Sequence, residues 1–110
     1  MSYDVDIGGE DFNHTFNTST LLCDLLPGKG EGDDQGVRGL DGLTGAEAAE
    51  IIEAGIERLQ DMFIDNTEES LRKKYDAPNG WGTITTTTLF LSRLMAACHR
   101  HPFERINVCC

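Results

Sequence analysis

Basic residues are scarce in this chain where they would be needed to hold a phosphate. From Met1 to Glu69 only Lys29, Arg38 and Arg58 stand against 17 acids, a balance of −14; from Ser70 to Cys110 six bases face Asp76 and Glu104, a balance of +4. The resulting net charge of −10 repels phosphate backbones and attracts cationic surfaces. Direct nucleic-acid binding is therefore not expected, and a basic protein partner is; solubility alone is the commoner use of such acidity. Long apolar runs are missing too, and nothing approaches the roughly 20 residues a membrane span requires. The opening MSYDVDIGGED has neither a basic leader nor an apolar core, so it reads as no secretory signal and the chain as cytoplasmic. On that reading the two Asn-x-Ser/Thr triplets of FNHTFNTST, at Asn13 and Asn17, are not glycan acceptors.

Cysteine is sparse, at 23, 98, 109 and 110, and in a cytoplasmic chain reads as free thiols rather than a disulfide framework. Cys23 and Cys98 fall within apolar helical patterns, as small buried hydrophobes do. Signature motifs are absent as well. The loop GKGEGDDQG, residues 28–36, lacks the Lys-Ser/Thr ending of a phosphate-binding loop and the ligand spacing of a calcium loop. On a helix, Cys98, His99 and His101 point in different directions, so no metal site is assigned. His14 shares its face with Phe12 and Phe16 and reads as a packed ring rather than a base. No nucleophile–base pair announces itself, and the chain reads as non-enzymatic, with no cofactor.

What is present is periodic. At 110 residues, with 39% hydrophobic and 25% charged, the composition fits one globular domain, 1–110, rather than a disordered segment. Tyr3, Val5 and Ile7 alternate with Asp4 and Asp6; Gly8-Gly9-Glu10-Asp11 makes a turn; Phe12, His14 and Phe16 alternate again. This predicts a β-hairpin with Asn13, Thr15 and Asn17 as a polar row on the face opposite the phenylalanines. Leu21, Leu22, Leu25 and Leu26 form a short helix stopped by Pro27, with Thr18, Ser19, Thr20 or Asn17 as caps. In LTGAEAAEIIEAGIERLQDMF, Thr44 and Glu47 spell a capping box, and Ala49, Ile52, Ile56, Leu59 and Phe63 recur as a buried stripe. Asn66 with Glu69 caps a further short helix, Thr67 to Tyr75. In TITTTTLFLSRLMAACHRHP the threonines favour strand, but Thr87, Phe90, Leu91, Leu94, Met95 and Cys98 keep helical spacing, and length decides for a helix ending before Pro102. Residues 105–109 offer a short edge strand. The expected fold is α+β: an N-terminal hairpin, with that C-terminal edge strand, packed on two main helices plus two short ones.

The order of several elements carries a resemblance. Tyr3-Asp4, Asn13-x-Thr15-x-Asn17, Gly39-Leu40-x-Gly42-x-Thr44-Gly45-Ala46-Glu47, then Trp81 and threonines before a helix ending in His101-Pro102, resembles a family of small uncharacterised phage and prophage proteins. Where that family commonly has tyrosine in the Asn-x-Thr segment, this chain has Phe16. The resemblance implies a phage protein acting in a bacterial host cell. Small acidic phage proteins are often inhibitors of host defence, anti-CRISPR proteins among them.

Two surfaces are candidates for function. Glu50, Glu53, Glu57 and Asp61 recur at nearly one-turn intervals along about 16 Å of helix, and with Glu31, Asp33 and Asp34 of the loop they would fill a basic groove meant for nucleic acid. Their expected partner is a basic host protein, a nucleic-acid-binding defence component; a homodimer is compatible with the same composition. Alternatively Asn13, Thr15, Asn17, Thr44 and Trp81 converge on a small ligand such as a nucleotide. Structural duties compete with that second reading: Asn17 as a cap, Asn13 bonded to carbonyls around Gly39–Gly45, Trp81 as a core plug.

Overall fold

The computed structural model describes residues 2–27, 35–76 and 82–109. The alternating N-terminus forms two antiparallel strands, β1 (Ser2–Ile7) and β2 (Glu10–Thr15), joined by the two-residue turn Gly8-Gly9. Both glycines have positive φ, +57° and +85°. Two such residues make a type I′ turn, whose twist matches that of the strands it joins. Tyr3, Val5 and Ile7 are buried while Asp4 is exposed and Asp6 half-buried, so one face of the hairpin is core and the other is wet. A third strand, β3 (Asn107–Cys109), pairs antiparallel with β1 and gives the order β2-β1-β3. The edge strand expected at 105–109 is thus present, two residues shorter.

Four helices cover the apolar face. The first, α1 (Ser19–Leu25), buries Leu21, Leu22 and Leu25 after a single 3-10 turn at Phe16–Thr18. Thr18 occupies its N-cap position without a side-chain cap bond. The longest, α2 (Gly45–Asp65), opens with the expected capping box: the Glu47 amide donates to Thr44 Oγ1 at 3.3 Å and the Thr44 amide donates to Glu47 Oε1 at 3.1 Å. Next comes α3 (Glu68–Tyr75), whose cap is Thr67, accepting from the Ser70 amide at 3.1 Å. Asn66, expected there, instead donates through Nδ2 to Met62 O at 3.1 Å and closes the end of α2. A second unforeseen 3-10 turn, Gly36–Leu40, sinks Val37 and Leu40 into the core.

The last helix, α4 (Ile84–Arg100), settles the threonine run. Thr83 and Thr86 form a reciprocal cap. Thr87 is buried, and Thr88 Oγ1 donates back to Ile84 O at 2.8 Å. The β-branched hydroxyls that would weaken a helix are all bonded, those of Thr86 and Thr88 to their own helix end and backbone and those of Thr85 and Thr87 to Arg72 and His14. Asp76 adds a longer-range cap, its Oδ1 accepting from the Ile84 amide at 2.9 Å.

Helices α2 and α4 pack antiparallel. Gly45, the first residue of α2, lies against the last turn of α4, where a Cβ would meet the backbone carbonyls of His101 and Cys98, the latter at 2.6 Å. Only a residue without a side chain lets the backbones come that close. Ala48, Ala49, Ile52 and Leu59 are buried along this seam, with Ile56 partly so. Phe63 departs from the expected stripe and is 42% exposed. The reason is length: α2 has 21 residues and α4 has 17, so the last turn of α2 outruns its partner.

Candidate functional site

The carboxylates of α2 form the first candidate. Steps of 100° per residue place Glu50, Glu53, Glu57 and Asp61 within an arc of about 80°, opposite the buried residues Ala48, Ile52 and Leu59. All four are exposed, and none has a hydrogen bond or ion pair among the described residues. Arg58, the one base on this helix, turns away from them, and its Nη1 donates to Leu25 O at 2.8 Å, closing the end of α1. Glu31, Asp33 and Asp34 lie outside the described residues.

Other acids contrast with this ridge because they are used internally. Glu10 accepts from Arg100 Nη2 at 2.6 Å and Nε at 3.1 Å, and bonds His101 Nε2 at 2.8 Å. The Arg100 bonds hold the Glu10 carboxyl below its ordinary range, with His101 adding to the effect. The Glu47 carboxyl is lowered by the Thr44 amide and hydroxyl it accepts from. Asp24 accepts from the Tyr75 hydroxyl at 2.7 Å, tying α3 to α1, and Asp41 accepts from the Val108 amide at 2.9 Å. Two of the C-terminal bases serve in the same way: Arg72 pairs with Glu68 at 2.7 Å, and Arg105 Nη1 donates to Gly42 O at 2.6 Å. Arg72, Arg100 and Arg105 of the basic tail are thus spent on Glu68, Glu10 and a backbone carbonyl, not on the α2 ridge.

The polar row separates. Asn13 and Thr15 lie on the wet side of β2, but the strand ends at Thr15 and Asn17 belongs to the 3-10 turn. Asn13 Nδ2 donates to Asp4 Oδ1 at 2.7 Å and to Ser2 Oγ at 3.0 Å, a cross-strand brace in place of the expected bonds to the Gly39–Gly45 segment. Thr15 Oγ1 accepts from the Asn17 amide at 3.2 Å. Thr44 is paired with Arg105 beyond the opposite edge of the sheet, its hydroxyl committed to the α2 cap. Trp81 lies outside the described residues. The remaining four residues therefore divide between the two edges of the sheet.

Two features escaped sequence reasoning. The first is a cleft of about 360 Å³ between β2 and α4, lined by Asp11, Phe12, Asn13, His14, Thr86, Leu89, Phe90 and Arg93. On its floor His14 is buried, as its alternation with the phenylalanines predicts. Its Nε2 bonds Thr18 Oγ1 at 2.8 Å and Thr87 Oγ1 at 3.3 Å. The second is a depression of about 390 Å³ on the wet sheet face, lined by Asp4, Asp6, Asp11, Asn13 and Cys109 among others. Both depend on which residues the sheet order makes neighbours, which periodicity does not report. Among the described residues no group of three or more His, Cys, Asp or Glu is placed to hold a metal ion. Cys98 is buried, which pushes its thiol up to about 11, whereas Cys23 is half-exposed and not the buried hydrophobe expected.

No family model, curated protein or solved structure matches the chain. Among the described residues no helix is long and apolar enough to cross a membrane.

Proposed function

We propose that the protein is a non-catalytic docking protein whose α2 ridge occupies a cationic, nucleic-acid-binding groove on another protein. The observation that carries this reading is the contrast between acids: Glu50, Glu53, Glu57 and Asp61 share one exposed face and have no partner among the described residues, while Glu10, Asp24, Asp41 and Glu47 are consumed by the fold. Like charges on successive turns cost helix stability, a few tenths of a kcal/mol per pair, and a cationic partner would offset that cost. Along the axis the ridge presents one charge per about 5.5 Å, against about 1.7 Å for duplex DNA. It therefore suits a groove with a few spaced lysines or arginines rather than one that grips a full duplex. In the phage setting that the sequence resemblance implies, the partner is a nucleic-acid-binding component of host defence, and the effect is inhibition by competition.

Capture from bacterial lysate at low and high salt tests this, comparing the wild-type chain with Glu50→Lys/Glu53→Lys/Glu57→Lys. The expected result is a basic, nucleic-acid-binding protein retained at low salt, released as the Debye length shrinks, displaced by added duplex DNA, and lost in the triple variant. Retention unchanged by the three substitutions would overturn the reading.

A further inference from the structure

The cleft between β2 and α4 has walls of different chemistry. From α4 it receives Thr86, Leu89, Phe90 and Arg93, which recur at helical spacing and so form one stripe. From β2 it receives Phe12 and His14, whose side chains point toward the helices. Asp11 and Asn13 border it too, but their side chains alternate onto the wet face, where Asn13 Nδ2 bonds Asp4 and Ser2. Ile7 and Glu10 are the first bonded pair beside the turn, so the backbone groups of Phe12 and His14 face β1 and those of Asp11 and Asn13 face outward. Those two residues therefore offer the cleft their backbone, and the Asp11 carboxylate is turned away from it.

Two groups in this cleft are not used by the fold. Arg93 is exposed and has no hydrogen bond or ion pair among the described residues, unlike Arg72, Arg100 and Arg105. The other is a nitrogen of His14. This residue is only 6% exposed, and both of its hydrogen bonds, to Thr18 and Thr87, are made by Nε2. Among the described residues no fully buried side-chain nitrogen or oxygen lacks a partner. Nδ1 does lack one, so it is not sealed in the core, and it opens to the cleft that His14 lines. Burial lowers the pKa of the ring and keeps it neutral at pH 7. A neutral imidazole has one N–H and one lone pair, and Nδ1 holds whichever of them Nε2 does not turn toward the threonines. A hydroxyl suits either form, because it both donates and accepts.

We propose that this cleft binds a small aromatic carboxylic acid that carries a ring hydroxyl. The carboxylate pairs with the Arg93 guanidinium, the ring packs on Phe12 and on Leu89, which is 49% exposed, and the hydroxyl bonds His14 Nδ1. Arg93 lies three residues beyond Phe90, on which His14 stacks, and so about 4.5 Å farther along the helix axis. The cation and the imidazole thus stand on successive turns and call for two polar groups on one body. A volume of about 360 Å³ is at the small end of ligand sites and suits a molecule of one ring. The net charge of −10 repels anions at long range, but salt confines that repulsion to about 8 Å, and at contact distance Arg93 decides. This site is separate from the α2 ridge, and each reading stands if the other fails.

Titration of 4-hydroxybenzoate into the isotope-labelled full chain, followed by amide chemical shifts, tests the proposal. Saturable shifts are expected at Phe12, His14, Leu89 and Arg93, with a Kd of about 0.1–1 mM, while the α2 amides stay still. Benzoate lacks the hydroxyl and phenol lacks the carboxylate, and each is expected to bind roughly tenfold more weakly. Arg93→Gln changes an exposed, unpaired side chain and leaves the core intact. It is expected to weaken 4-hydroxybenzoate roughly tenfold and to leave phenol unaffected, which assigns the carboxylate to Arg93. Absence of saturable shifts up to about 10 mM overturns the proposal, as do shifts centred outside the cleft. So does an affinity for 4-hydroxybenzoate that is indifferent to Arg93→Gln, or benzoate binding as tightly as its hydroxylated counterpart.

Discussion

His14 of β2 stacks on Phe90 of α4, ring centroids 4.6 Å apart and planes 11° from parallel. The contact joins the sheet to its covering helix, and its polar side is completed by the Thr18 and Thr87 hydroxyls. Burial lowers the pKa of this ring from its ordinary 6.5. The unfolded chain therefore takes up the proton first. Stability is expected to be flat above about pH 6.5, to fall as the pH drops below it, and to level off once the folded ring protonates as well. Denaturant midpoints from pH 8 to pH 5 check this. In His14→Gln that limb disappears, alongside a general loss of about 1–3 kcal/mol from the broken stack and hydroxyl bonds; an unchanged limb would mean another group carries it.

At Gly45 the start of α2 closely approaches the end of α4, and its substitution has no cheap relief because the atoms in the way are backbone carbonyls. Gly45→Ala is expected to cost about 2–3 kcal/mol despite the better helix propensity of alanine. Thermal or urea unfolding measures it. A neutral result would show that the two helices can separate at this end.

The two capping boxes give a matched pair. Thr44→Ala and Thr83→Ala each free one amide at the start of a long helix, and each is expected to cost about 1 kcal/mol. Thr83 has the firmer backup, since Asp76 Oδ1 also receives the Ile84 amide at that end. Thr83→Ala with Asp76→Ala is therefore expected to cost more than the sum of the single changes, a coupling that a double-mutant cycle reads directly.

Cysteine chemistry separates by burial. Cys98 is fully buried, with its thiol pushed up to about 11, while Cys109 is exposed on β3. At pH 8 an alkylating reagent is expected to label Cys109 promptly and Cys98 only after denaturant is added, as mass mapping of peptides would show. Equal labelling of the two in native buffer would indicate that the α4 core opens readily.

Much of this architecture was legible in the residue order because it is local. Alternation in Tyr3-Asp4-Val5-Asp6-Ile7 marked the buried and wet faces of a strand, and Thr44 with Glu47 marked a helix start to the residue. The threonine run was ambiguous by propensity and was resolved by spacing; its hydroxyls are bonded at Thr86, Thr87 and Thr88. Local signals misled where two residues competed for one role, as Asn66 and Thr67 did for the α3 cap. They could not report length mismatch between distant helices, which is what exposes Phe63. The candidate surfaces divide the same way. A ridge at helical spacing lies on one element, and its outward face followed from the buried face. Convergence of Asn13, Thr15, Asn17 and Thr44 required knowing the strand order, which sets Thr44 at the edge opposite the other three. The cleft between β2 and α4 joins residues about 80 positions apart, which no window along the chain could bring together.

The central strand of the sheet also sets a timetable. β1 is flanked by β2, made within a dozen residues, and by β3, made about a hundred residues later. At synthesis rates of about 5–20 residues per second, one side of β1 waits roughly 5–20 s for its neighbour. Through that interval Asp4 and Asp6, by charge repulsion, are the guards against misassembly on the ribosome.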